Sequence, residues 1–311
     1  MDGRLWTRLY REIRRAGKGL TFSARTGRPR VYGTDEVLAA WAFAALMDWP
    51  ISVAQRRLQR GAAGWWLRRH WRWRSRIPSV ATLTRRARQP DFRALLRLVL
   101  RRLRRWLKRP GPGRVVVMDS TFLLTGPYSR DRESRWSCHG GKWFRGYALH
   151  AICDRHGRLW AWRVTSANVQ EMKVARRLVR QMAAAGSNGV RWVVADSGYD
   201  SEPLHQLIRR RLGARLVAPL NLRGAKTDAW RSRQPGRDAL DRLLATPQGQ
   251  SLLNQRSVIE RWNSWFKGSS NVSMLPYHVR RLHRVRRWIN LKLALFFVHQ
   301  YLSQQHLTPA A

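Results

Sequence analysis

The chain has 311 residues, 44% of them hydrophobic, and carries 61 Lys plus Arg against 18 Asp plus Glu, a formal net charge of +43. That length accommodates two domains with buried cores, and so one-sided a charge calls for a large polyanion, nucleic acid first. Two cysteines make no disulfide framework, the longest apolar run (37–47) is too short to cross a bilayer, and residues 1–4 lack the apolar core of a signal peptide, so a soluble, cytoplasmic protein without a membrane partner is expected.

Residues 1–33 are basic and broken by Gly17, Gly19, Gly27, Pro29 and Gly33; they predict one short helix over about 4–15 and then a loop. Within that loop Gly27-Arg28-Pro29-Arg30 has the look of an arm for the minor groove, and equally of a solvated linker. Residues 34–106 predict helices over about 35–47, 52–60, 79–88 and 91–107, the last with Phe92, Leu95, Leu96, Leu98, Val99 and Leu103 apolar and Arg between. The Ser/Thr-rich start of the 79–88 helix, followed by Arg85 and Arg86, suits a helix entering the DNA major groove; a plain helical bundle with a basic exterior fits the same pattern. Between them, residues 64–74 interleave Trp with Arg, as core aromatics or as a base-stacking surface. Pro110-Gly111-Pro112-Gly113 marks a boundary between a helical, basic DNA-binding region (1–110) and a second region (111–311).

From residue 114 the pattern becomes α/β. Arg114-Val115-Val116-Val117-Met118-Asp119-Ser120-Thr121 is an apolar, β-branched strand that delivers a carboxylate at its end. Arg191-Trp192-Val193-Val194-Ala195-Asp196-Ser197-Gly198 repeats the grammar. One such Asp reads equally as a turn residue. Two of them at the same end of neighbouring strands would hold a hard cation such as Mg²⁺. Further strands are expected at 144–153, 158–165 and 214–218, with a turn-rich stretch over 124–142. Helices are expected at 169–185, 202–212, 251–268 and 278–304, and a polar loop with short helical pieces over 222–250. The order matches no dinucleotide fold, and no phosphate-binding glycine loop occurs. In the 251–268 helix, Arg256, Glu260, Asn263 and Lys267 fall within roughly 60° of arc, opposite an apolar face of Val258, Ile259, Trp262, Trp265 and Phe266. His139, His150 and His278 are minor candidates for bases. Asp200 is expected to cap the next helix.

These motifs together, Val-Val-Val-Met-Asp-Ser-Thr, Val-Val-Ala-Asp-Ser-Gly-Tyr-Asp and Arg-x₃-Glu-x₆-Lys, resemble the DDE transposases of bacterial insertion sequences. The nearest group carries its third acid in a Tyr-x₂-Arg-x₃-Glu-x₆-Lys signature; Leu253 stands here at the Tyr position. The resemblance covers about 114–300. It implies a ribonuclease H-like catalytic domain, a mixed five-stranded sheet with flanking helices, behind an all-α DNA-binding region. It also implies that Asp119, Asp196 and Glu260 bind two Mg²⁺ ions, with Mn²⁺ able to substitute, and that Arg256 and Lys267 contact DNA phosphates; Asn263 on the same stripe, and Arg28, Arg30, Arg85 and Arg86 of the first region, are further candidate DNA contacts read from the sequence. The implied activity is cleavage at transposon ends and joining of the 3′-OH to target DNA, by a homodimer on double-stranded DNA. A nuclease or resolvase of the same fold, or an inactive DNA-binding relative, are the rival expectations.

Overall fold

The computed structural model describes residues 3–18, 20, 32–60, 77–107, 114–126, 128–139, 141–186, 189–219, 221 and 235–306. Arg28 and Arg30 and the Trp/Arg stretch 64–74 lie outside the described residues. The chain divides into two units, Met1–Lys108 with Arg287–Ala311, and Arg109–Arg286.

The first unit is helical throughout its described residues: α1 (Gly3–Lys18), α2 (Thr34–Leu46), α3 (Ile51–Arg60), α4 (Val80–Arg86) and α5 (Pro90–Trp106). Helix α2 is apolar all round because it is the buried centre of this unit, with every residue from Val37 to Ala45 in the core. No single helix among the described residues is long and apolar enough to cross a membrane. The boundaries follow local chemistry. Ser79 caps α4 by accepting a hydrogen bond from the Thr82 amide at 3.2 Å. Helix α5 has Gln89 as its N-cap and Asp91 in its first turn, where Asp91 accepts from the Thr34 hydroxyl at 2.8 Å.

The last helix, numbered α11 below (Leu282–His306), was expected to belong wholly to the catalytic region. From Arg287 onward it belongs to the helical unit, where Lys292 pairs with Asp48 at 2.8 Å and Arg287 lies over the Trp41 ring. An apolar helical period says that a helix is buried, not against what.

The second unit is built on one mixed sheet of six strands: β1 (Val115–Leu124), β2 (Arg135–His139), β3 (Lys142–Asp154), β4 (Leu159–Ser166), β5 (Trp192–Val194) and β6 (Arg215–Val217). The order is β2-β3-β1-β5-β6, with β4 also on β3. Strands β1, β3 and β4 are antiparallel, whereas β1, β5 and β6 are parallel. The sixth strand, β2, falls in the stretch expected to be turns.

On one face, α6 (Glu171–Ala184) and α7 (Glu202–Leu212) bury Met172, Leu178, Leu204 and Ile208 against Val116, Met118 and Val193. After α8 (Pro235–Leu244) and α9 (Pro247–Asn254), α10 (Ser257–Ser270) packs on β1 and β3. Its apolar face buries Val258, Ile259, Trp262 and Phe266. Trp265, expected on that face, is 40% exposed. A mixed sheet between helices is the layer plan in which chemistry collects at the carboxyl ends of parallel strands.

Candidate active site

Strands β1 and β5 run side by side in parallel, with Val115 opposite Trp192, Val116 opposite Val193 and Val117 opposite Val194. Two residues further along each chain come Asp119 and Asp196, close enough that the Asp196 charge acts on the Asp119 carboxyl. The two acids read from the repeated strand grammar are thus brought together by strand pairing. Apolar β-branched residues before each Asp make the strands rigid, and the carboxylates inherit that rigidity.

Asp119 is pushed up to about 7 from its ordinary carboxylate value, mainly by burial and further by the neighbouring charges of Asp196 and Glu171, against the pull of the Ser120 amide and Arg256. Asp196 has a buried oxygen, Oδ1, that accepts no hydrogen bond. Two crowded carboxylates, one with an orphaned buried oxygen, are the donor set a hard divalent cation would satisfy.

Glu171 was not singled out in the sequence. It opens α6, accepts a hydrogen bond from the Ser120 hydroxyl, and lies beside the turn after Asp196. A side chain on Gly198 would place its Cβ 3.0 Å from Asp196 Oδ1 and 3.3 Å from Glu171 Oε2, so glycine here leaves room for two carboxylates. Tyr199 is buried among the same acids, its phenol raised well above the ordinary value by burial first and then by their charges.

Helix α10 supplies the rest. Asn263 donates from Nδ2 to Asp119 Oδ2 at 3.3 Å, which makes this nearly buried amide an orienting group for the acid rather than a DNA contact. Arg256 favours the charged form of Asp119, and Lys267, its pKa lowered by burial, is drawn partly back up by the Asp119 charge, so both ends of the stripe lie near the same carboxylate. Glu260 lies between Arg256 and Asn263 on that stripe. Its carboxylate is 61% exposed and pairs with Arg256 at 3.7 Å. Among the described residues no three His, Cys, Asp or Glu side chains stand close enough to hold a metal ion together. The fold therefore assembles two of the three expected acids and carries the third on the adjoining helix.

A family model described as Transposase DDE domain matches residues 110–297. The chain belongs to the transposase DDE domain family. No curated protein matches it. Among solved structures, one likeness is to a chain of "Cryo-EM structure of piggyBac transposase synaptic complex with hairpin DNA (SNHP)", at 11% identity and a TM-score of 0.36, covering 99% of this chain and 81% of that one.

Several expected residues of this DDE-domain protein take other roles. Arg86 is buried; it donates to the Tyr32 carbonyl and the Thr34 hydroxyl, both at 3.0 Å, and faces Asp91 at 3.7 Å, so it ties the helical unit together and is unavailable to DNA. Arg85, next to it, is exposed. Asp200 does not cap α7, whose N-cap is Ser201. It is fully buried and accepts from the Asn221 amide, Arg237 and His205. Burial alone would raise its pKa, but these donors bring it below the ordinary value. His150 is buried and its pKa is lowered to about 4 by burial and by Arg163, with Nε2 2.9 Å from the Thr165 hydroxyl, so it is a weak base closed off from solvent. The Cys153 thiol is buried and raised by that burial, and Cys138 is exposed.

Proposed function

We propose that this protein is a transposase that cuts phosphodiester bonds at the ends of a mobile element and joins the freed 3′-OH to target DNA. What supports the reading is the parallel pairing of β1 with β5, whose chains carry Asp119 and Asp196 two residues past the last paired positions, with Asn263 of α10 bonded to Asp119 and the charges of Arg256 and Lys267 acting on the same carboxylate. Membership of the DDE family supports the same chemistry.

Asp119 and Asp196, completed by Glu260 after a side-chain rotation away from Arg256, would hold divalent cations, Mg²⁺ or Mn²⁺. When bound, such ions activate water and neutralise the leaving oxygen. The protein's own groups do the remainder. Asn263 fixes the Asp119 carboxylate. Arg256 and Lys267, flanking it, offer positive charge to the phosphate on either side of the cut. No Tyr or Ser nucleophile is required, since the 3′-OH is itself the attacking group in joining. The basic surface holds the DNA with salt-dependent affinity. Two ends must be joined, so two copies are expected to act together on DNA.

The test mixes the protein, duplex DNA carrying the element's ends, a supercoiled target plasmid and Mg²⁺. The reading predicts plasmids covalently joined to the end DNA through its 3′ terminus. Nicked or cut DNA without any joined product would favour the nuclease or resolvase alternative.

A further inference from the structure

The hairpin that the sequence did not foretell extends past the rest of the sheet. Strand β1 pairs with β3 only as far as Leu124 opposite Gly146, and β4 pairs with β3 only from Tyr147 onward. Before that point Lys142–Phe144 pair with β2 alone, His139 opposite Lys142 and Ser137 opposite Phe144. The result is a two-stranded ribbon.

Its two faces differ. On one, Phe144 packs on Phe122 of β1, which anchors the root. The other carries Trp136, opposite Arg145, and Trp143, opposite Cys138. These two Trp side chains are 51% and 70% exposed. Alternation along β3 puts Trp143, Arg145 and Ala151 on one side, and Ala151 is the partner of Asp119. The bare Trp pair therefore shares a sheet face with the candidate active site.

The charge around the ribbon is sorted. Arg130, Arg132, Arg135 and Lys142 are exposed. The two acids of the neighbourhood face inward: Asp131 accepts from the Tyr147 hydroxyl and the Arg281 amide, and Glu133 from the Leu282 amide. An exposed aromatic pair edged by cations, with the local carboxylates withdrawn, suits a polyanion that also offers apolar groups in its grooves, such as thymine methyls, which is DNA. A symmetric contact between two copies would bring two such basic surfaces together. A two-stranded ribbon also has the width that the major groove admits.

We propose that the β2–β3 ribbon is a grip on duplex DNA. Trp136 is level with Arg145, six residues before Ala151, and Trp143 lies eight before it, which is about 20–27 Å along β3 at about 3.4 Å per residue. On B-form DNA that is about six to eight base pairs from the phosphate at Asp119 and Asp196. The position relative to the cut rests on the function proposed above; the contact itself does not.

Cys138 gives a built-in reporter, because it is exposed on the ribbon while Cys153, the other cysteine, is buried. The experiment follows maleimide labelling of the full-length protein with and without a saturating 30-base-pair duplex of random sequence, about that length being enough to span the ribbon and the acids. Bound duplex is expected to slow labelling about tenfold or more. The Trp136→Ala/Trp143→Ala variant, which keeps Cys138, is expected to bind that duplex about tenfold more weakly with unchanged melting temperature. Equal labelling rates with and without DNA, or unchanged binding by the double variant, would overturn the grip. Protection that appears without DNA and rises with protein concentration would assign the ribbon to a second copy and overturn it too. Protection by DNA in a protein that never cuts DNA with Mg²⁺ would leave the grip standing and remove the function reading alone.

Discussion

Replacing Asp119 with Asn should stabilise the metal-free protein while ending its activity. Asp119 is held at about 7, whereas the same group in an unfolded chain titrates near 3.8. The sign follows from linkage. A carboxyl whose folded pKa is raised imposes no penalty below its unfolded value, a growing one as pH climbs between the two, and the full one above the folded value. Three pKa steps at about 1.4 kcal/mol each set an upper bound of about 4 kcal/mol. Asp119 is only partly buried, and water and counter-ions screen part of this, so about 1–2 kcal/mol is expected in practice. In EDTA at pH 8, Asp119→Asn should therefore melt about 2–6 °C above the wild type. The advantage should shrink as pH is lowered and vanish near 4. Adding Mg²⁺ should raise the wild-type melting temperature and leave the variant unmoved. A variant that melts lower than wild type at pH 8, or one whose gain is the same at pH 4, would refute the claim that burial and neighbouring charges raise this carboxyl's pKa.

Gly198→Ala should lower DNA cleavage by at least about tenfold with little change in melting temperature, since its Cβ would press on Asp196 Oδ1 at 3.0 Å rather than on the core. Arg86→Ala should destabilise the protein by about 2–4 kcal/mol in urea melts, because it leaves Asp91 and Thr34 without their buried partner. Arg85→Ala should leave stability alone and lower the salt slope of DNA binding by about one phosphate's worth. His150 is held near 4 against an ordinary 6.5, so it contributes stability above 6.5 that is lost as pH falls towards 4. Urea melts of His150→Gln should accordingly show a flatter dependence between pH 7 and 4.5 than wild type.

What could be read from the sequence and what could not divide on physical grounds. The strands carrying Asp119 and Asp196 are buried on both faces, so they are written as continuous apolar runs ending in a carboxylate, and that pattern survives without any knowledge of partners. The α10 stripe was legible because one helix sets its own geometry: residues at 256, 260, 263 and 267 must share a side. Glu171 was not legible, since its place beside Ser120 and Gly198 depends on how α6 meets the sheet. Strand β2 was missed because Arg135, Trp136 and Cys138 are exposed, and strand patterns are recognised by burial. Arg86 shows the opposite failure, a charge taken as exposed by its type and found paired inside. Trp265 was assigned to the apolar face of α10 by its residue type and lies largely outside it.

The claim at the centre of this account is that Glu260 joins Asp119 and Asp196 in a metal-dependent nuclease site. The measurement that tests it most directly compares wild type with Glu260→Gln on the element's own end DNA in Mg²⁺. DNA binding is followed in parallel. The account predicts cleavage that leaves a 3′-OH in the wild type, lost in the variant, with binding retained by both. Equal cleavage by the two proteins would contradict it.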